Sequence, residues 1–514
     1  MIMKKLFSIL LAAIIALALF GTVLAAPNDG VLDIAYSIVP DSLTPFRPEV
    51  NRDAPYFTEI CESLGVFNSD KVLQPWLAKS WTTDDNGFTY TVELREGIKD
   101  SAGNPFTADD AVWFIQESVA RALKPVFNKI ESVEKTGDLT FSLKLKSNIV
   151  GTFEKIMTET YGITKAAFEA SPDEFGSSLV STSPYAVTNF VASSEFTIEL
   201  REDYWQALED MPACVSPKVS KIHWVQIAEA SQMGIAVETG VVDMVMRMPI
   251  ATGMQYEGNP AFTVEKTSGH QGYQLFFSGA ETSPVANDQK LRQAIAYSIN
   301  NEALIQALAY GNGEPLYDVH SPIMIGYNPK WENEENYPYD VAKAKQLVAE
   351  SDYKGQTLSI LCSGNGDMPR MAQVLQAFMM QAGINVEINA AEMAYIVANR
   401  LDGTKYDMFI NTIGGTYLAD AWAIRYDPNA YSTGDGTSRK DYVLGDLLYE
   451  TWTPEGYTEE NIDKVHNYLK ESCIAYGLYN PYNYCVWRTE IGVENEVYEI
   501  AGTIAPAATS YTGL

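Results

Sequence analysis

Hydrophobic and polar positions along this chain recur with two periods, and each predicts its own kind of element. Phe88, Tyr90, Val92 and Leu94 alternate with Thr89, Thr91, Glu93 and Arg95, and Leu139, Phe141, Leu143 and Leu145 alternate with Thr140, Ser142, Lys144 and Lys146. A period of two puts one face in a core and the other in water, so both segments are predicted as half-buried β-strands. Asp85-Asn86-Gly87 supplies the turn before the first. Between them, Thr107 and Asp110 have the spacing of a capping box, and the helix they open is expected to carry Val112, Ile115 and Val119 on one face. Upstream, Val31 to Ile38 predicts a strand that ends in the turn Pro40-Asp41-Ser42-Leu43-Thr44-Pro45.

The second half alternates helix and strand over short connections. Asp288 precedes Leu291, Ile295 and Ile299 at fourfold spacing, and Asp340 caps a helix that buries Val341, Ala344, Leu347 and Val348. A strand around Leu358 and Ile360, a helix with Met371, Val374, Leu375 and Phe378, a stop at Gly383 and a strand at Ile384, Val386 and Ile388 make a β-α-β unit. Tyr406 to Asn411 is a further strand, followed by the loop Thr412-Ile413-Gly414-Gly415-Thr416-Tyr417. Ligands of open α/β sheets sit at the carboxyl ends of strands, so this loop is a candidate site, with an ordinary strand-to-helix connection as the alternative. Met244 to Met248 reads as a strand with its methionines on one side, packed in the core. No Gly/Ser-rich linker or internal repeat divides the chain, so its domains are expected to be interleaved.

Lys4 and Lys5 precede an apolar run from Leu6 to Phe20, and small residues follow up to Ala26. That is the pattern of a secretory signal, with cleavage expected after Ala25; the run is shorter than the roughly 20 residues of a spanning helix. An uncleaved anchor is the alternative. The first cysteine is Cys61, so a lipid anchor is not expected, and the protein is expected to be exported, periplasmic or at the cell surface. The 514 residues, 46% of them hydrophobic, suffice for two or three domains. A net charge of −30 argues against nucleic acid as a partner, because phosphates are held by clustered Lys and Arg. Cys61, Cys214, Cys362, Cys473 and Cys485 allow one or two disulfides and leave at least one thiol over, and their spacing leaves the pairing open.

Catalytic chemistry is not in view. The four histidines, His223, His270, His320 and His466, lack metal-ligand spacing, and no G-x-S-x-G elbow, Walker A loop or G-x-G-x-x-G fingerprint occurs; Gly311-Asn312-Gly313 stops short of the last. Asp84/Asp85 fits a turn and Asp109/Asp110 a helix start, since adjacent carboxylates diverge. No catalytic residue, metal or cofactor is expected. The 30 Tyr and 9 Trp suit a cleft for peptides or sugars, or the half-buried tyrosines of a large secreted protein.

Leu77-Ala78-Lys79-Ser80-Trp81, the strand from Phe88 to Arg95, Gly97, and Gly103-Asn104-Pro105-Phe106-Thr107-Ala108-Asp109-Asp110-Ala111-Val112 together resemble the signature of bacterial family 5 extracellular solute-binding proteins. Ser181-Thr182-Ser183-Pro184-Tyr185 resembles that family's G-T-G-P-Y turn, Arg201 to Trp205 its N-x-x-Y-W segment, and Thr239 to Asp243 its G-x-x-D. Asp288 to Asn300 and Asp340 to Val348 are similar to two of its helices. The resemblance implies an α/β fold, a periplasmic-binding-protein-like type II (class C) two-lobed clamp with an additional domain. It implies a discontinuous domain I of residues 26–50, 182–270 and 488–514, a domain II of 51–181 and a domain III of 271–487, after a signal at 1–25. It also implies a monomeric, non-enzymatic receptor that captures a solute, foremost an oligopeptide, and passes it to an ABC permease.

By position, the resemblance puts Ser37, Ile38 and Val39, Gln274 and Phe276, and Tyr395 with Gly414, Gly415, Thr416 and Tyr417 against the ligand, followed by Asp420 and Trp422. Peptide receptors of this kind grip the ammonium group with a carboxylate where Thr416 stands, so the nearest acid, Asp420, is the expected substitute. The basic residue that dipeptide receptors use for the carboxylate is missing after Ile360, where Leu361-Cys362-Ser363-Gly364 follows. A longer or modified peptide, an oligosaccharide, a sensor role and a secreted carbohydrate hydrolase stand as alternatives; the last needs two carboxylates roughly 5–10 Å apart.

Overall fold

A computed structural model describes residues 30–47, 55–84, 87–147, 149–268, 272–316, 319–334, 336–413, 416–429, 439–498 and 504–514. The leader at 1–25, the Asp85-Asn86 turn, Gly414 and Gly415 lie outside the described residues. In the first lobe, the strand Val31–Tyr36 runs parallel to Lys221–Gln226 on one side and to Met244–Met248 on the other. Glu195–Leu200 and Tyr185–Val191 extend the sheet antiparallel. Leu32, Ile34, Ile222, Trp224, Met244 and Met246 are buried on one face, and Ala35, Val245 and Met248 on the other. The methionines therefore do not share one side. The register slips between Val245 and Met248, and a bulge there turns Met248 to the opposite core.

The second lobe is the β-α-β pattern of the second half. Leu358–Ser363 lies between parallel partners Val386–Ala391 and Met408–Ile413, and the latter pairs antiparallel with Gly272–Phe277. The flanking helices start where their caps predict. Asp288 accepts the Leu291 N–H at 2.9 Å, and Asp340 accepts the Lys343 N–H at 2.8 Å.

Inserted in the sequence of the first lobe, between Val31–Tyr36 and Tyr185–Val191, lies an antiparallel sheet of Ala78–Thr83, Thr89–Leu94, Thr140–Leu145 and Ile130–Lys135, in that spatial order, covered by the helix Ala108–Ala120. Its capping box is formed, with the Thr107 N–H donating to Asp110 at 2.8 Å. Val119 is 39% exposed, contrary to the expected face; the buried stripe runs through Ala108, Ala111, Val112, Ile115 and Ser118. This middle domain is fused to the first lobe, because Phe57, Phe114, Tyr161 and Phe175 pack in the same core as Ile34 and Trp224. Ser181 and Ser183 reinforce the junction by donating to the Ile60 and Glu59 carbonyls at 2.7 and 2.5 Å. All five cysteines are buried and unbridged. No helix among the described residues is long and apolar enough to cross a membrane.

The lobes are joined by two chain crossings. Phe262–Ser268 belongs to the first lobe and Gly272–Phe277 to the second. The return is one 14-residue strand, Ala475–Arg488. Its first part pairs with Tyr273–Phe276 and Gly313–Pro315, and from Tyr482 onward it pairs with Phe262–Ser268 and Met244–Met248.

The Arg201–Trp205 motif has a structural task. The Tyr204 hydroxyl and the Trp205 indole, the latter at 3.3 Å, donate to the fully buried Glu62 carboxyl. Burial pushes that carboxyl up to about 7, against the lowering effect of these donors. A raised acid is stabilised in its protonated form, so its contribution is complete below the unfolded value of 4.5 and is lost as pH rises through about 7. Glu62→Gln is accordingly expected to match the parent in urea denaturation near pH 5 and to exceed it by on the order of 1–3 kcal/mol near pH 8. An unchanged pH slope would contradict this.

Candidate functional site

Topology alone locates the site. Tyr36, Gln226 and Met248 end parallel strands of the first lobe on the edge where Ser268 and Tyr482 leave for the second lobe. On the second lobe, Ser363, Ala391 and Ile413 end parallel strands on the edge where Gly272 and Pro481 arrive. Both lobes thus present the carboxyl edges of their strands to the crossings, and the space between these edges is the candidate cleft.

On the first lobe, Ser37 is half-buried and Ile38 is 54% exposed. Val39 is buried, and its N–H donates to the Gln226 side chain at 2.9 Å. Arg247 sits at the same edge, within the bulge, at φ 52°. Its guanidinium lies over the Tyr36 ring at 5.9 Å and donates to the Tyr36 hydroxyl at 3.1 Å. The sequence reading missed this residue; the available signal was a lone arginine near the end of an apolar strand, just before Met248-Pro249.

On the second lobe, Gln274 and Phe276 are fully buried. Among the described residues neither amide atom of Gln274 has a hydrogen-bond partner, which is rare for a buried group. Tyr395 is 41% exposed on the helix Met393–Asn399, which follows the carboxyl end of its strand and also exposes Met393 and Val397. Thr416 is half-buried and its carbonyl accepts the Ile325 N–H at 2.7 Å. Trp422 is fully buried and donates to His320 at 3.1 Å, so it belongs to the core of the lobe and not to the cleft wall.

Asp420 has other employment than the one expected of it. Its carboxylate is 3.2 Å from Lys129 and 3.7 Å from Lys155, both on the middle domain. Burial alone would raise this carboxyl, but Lys155 and Lys129 outweigh it and hold it below its ordinary value. Engaged this way, it is not the open counter-charge for a ligand's ammonium group. Tyr417 completes the contact by laying its ring on Gly151, where an added Cβ would come within 2.5 Å of the ring and where φ is +90°. The Val150 N–H donates to the Trp452 carbonyl at 2.8 Å, and Ile149 packs with Ala419 and Ala423. Since the middle domain is fused to the first lobe, this contact ties the two halves of the clamp together apart from the crossings.

A cavity of about 330 Å³ opens beside the crossing strand. Glu314, Leu316, His320, Tyr327, Trp331 and Glu332 are among its lining residues, and Glu314 pairs with the crossing strand at Asn480. Trp331 and His320 are themselves buried, with Trp331 stacked on His466 at 4.1 Å, so the chemical character of the cavity comes from its carboxylates Glu314 and Glu332. Among the described residues no group of three His, Cys, Asp or Glu side chains is placed to hold a metal ion.

Residues 72–435 match the family model described as "Bacterial extracellular solute-binding proteins, family 5 Middle". The nickel-binding periplasmic protein of Escherichia coli K12 is 24% identical over 457 residues, covering 82% of this chain and 80% of that protein. The glutathione-binding protein GsiB of Escherichia coli O1:K1 is 28% identical over 342 residues, 64% of this chain and 63% of the relative. In fold, the chain is similar to the periplasmic binding protein DppA of Helicobacter pylori, solved with the peptide STSA, at a TM-score of 0.75 and 20% identity over 94% of this chain and 98% of that one.

Two outcomes follow for the ligand-free protein. Asp420→Asn is expected to weaken the contact between the middle domain and the second lobe by roughly 1–3 kcal/mol and to enlarge the radius of gyration in small-angle X-ray scattering; an unchanged radius would show that the ion pair does not hold the clamp shut. Gln274→Leu, which removes an unsatisfied buried amide at nearly constant volume, is expected to raise stability by about 1 kcal/mol in urea denaturation while weakening ligand retention. A loss of stability would mean that the amide is satisfied in the free protein.

Proposed function

The chain belongs to the bacterial extracellular solute-binding proteins of family 5, and we propose that it captures an oligopeptide between its lobes and delivers it to an ABC permease. The observation that carries this reading is the cleft itself: two lobes joined by two crossings, with the carboxyl edges of both sheets facing it and a cavity of about 330 Å³ beside the crossing strand. A ligand that touches both edges binds the closed clamp better than the open one and so shifts the population toward closure. The permease then reads the closed state.

Peptide is favoured over sugar by the character of the walls. Ile38 on one lobe and Met393, Tyr395 and Val397 on the other are exposed apolar groups that side chains of a peptide would cover. Gln274 offers an amide to an amide. The peptide bound by the Helicobacter pylori neighbour agrees with this reading. With Asp420 engaged by lysines, Glu314 and Glu332 of the cavity are the carboxylates assigned to the ligand's ammonium group. The same proposal includes export behind a signal at 1–25, a monomer, no turnover of the ligand, and a three-domain division of 26–50 with 182–270 and 488–514, 51–181, and 271–487. The last seam is best drawn at Pro481–Tyr482, where the crossing strand changes sheets.

Native mass spectrometry of the purified protein, before and after incubation with peptide and oligosaccharide pools, tests the reading. Peptides are expected to be retained and recovered at unchanged mass. Retention of oligosaccharides alone would replace the ligand assignment, and consumption of either pool would end the receptor reading.

A further inference from the structure

The strand Met244–Met248 places Met246 in one core and Met248 in the opposite one. A strand can do that only by accommodating an extra residue between them, and the residue so displaced is Arg247, at φ 52°. Left-handed backbone is unfavourable for a residue with a long side chain, and such outliers persist where the surrounding structure enforces them for a purpose. Regular alternation would carry Arg247 to the face of Ala35 and Val245, away from Tyr36, so the guanidinium reaches the Tyr36 ring only because of the bulge. What the bulge achieves is placement. It sets a half-buried cation at the carboxyl edge of the first lobe, beside Ser37 and the exposed Ile38, with Tyr36 fixing it from below by its ring and its hydroxyl.

We propose that Arg247, held by Tyr36, receives a carboxylate of the captured ligand; the assignment rests on the solute-capture reading above and names the chemistry at its first-lobe wall. A planar guanidinium matches a carboxylate through paired N–H donors, and a pre-positioned arginine loses little side-chain freedom on binding. The chain has 66 acidic and 36 basic residues, so its general field repels anions and a carboxylate needs a dedicated cation. A peptide whose amino end lies at the Glu314 cavity and whose carboxyl end lies at Arg247 would engage both lobes with opposite charges, and closure would follow from the two contacts together.

The test uses a tryptic casein digest and the same digest with its carboxyl groups converted to methylamides, each offered to the parent protein, Arg247→Gln and Arg247→Lys and analysed by mass spectrometry of the retained fraction. The parent is expected to retain the unmodified digest about tenfold better than the amidated one, Arg247→Gln to lose that preference, and Arg247→Lys to keep part of it. Equal retention of both digests by the parent, or a preference that survives in Arg247→Gln, would overturn the assignment while leaving peptide capture intact. If the parent retains neither digest, peptide capture falls, and titration with succinate and citrate then decides: binding abolished in Arg247→Gln supports the arginine site, and no binding by the parent overturns it.

Discussion

Residues 475–488 satisfy backbone hydrogen bonds in two sheets within one continuous strand. Up to Pro481 their partners are Gly272–Phe277 and Gly313–Pro315, and from Tyr482 they are Phe262–Ser268 and Met244–Met248. A buried backbone group without a partner is costly, so neither sheet can release its half of the strand and the crossing is fixed at both ends. The family Asp243 adds a pin, since its carboxylate accepts the Asp33 N–H at 3.0 Å while its carbonyl accepts the Arg488 N–H at 3.0 Å. Motion between lobes is thereby confined to the short passage where the partners change. The same constraint turns the carboxyl edges of both sheets toward each other and so creates the cleft.

Everything assigned to the site follows from that arrangement. The bulge that frees Arg247 lies on a strand pairing with the crossing strand, and the cavity wall at Glu314 pairs with it directly. Gln274 is one residue from the Tyr273–Tyr479 pair at which the register slips. The ion pairs of Asp420 with Lys129 and Lys155 stand outside this frame and oppose its opening. On the proposed reading, these ion pairs and a ligand that adds contacts on both edges would act in the same direction, toward the closed clamp.

What the sequence revealed was local, and what it hid was distant. Capping boxes and period-two strands are set by neighbours within a few residues, so Thr107 with Asp110, Asp288 and Asp340 are legible. Val119 was misplaced because helical spacing names a face without saying where the stripe is centred. Asp420 was expected beside a ligand, yet Lys129 meets it from 291 residues away, a pairing no local pattern encodes. Trp422 was misread for the same reason, with His320 approaching from 102 residues away. The signature residues Ser181, Ser183, Tyr204 and Trp205 mark the family but serve the junction of the middle domain and the buried Glu62, so a family motif need not touch the ligand.

Amide hydrogen exchange on the protein with and without the solute it is purified with tests the clamp most directly. The account predicts that loading slows exchange together at residues 37–39 and 246–249 on one lobe and at 272–276 and 363–367 on the other, with the interiors of both sheets unchanged. Protection confined to a single lobe would contradict it.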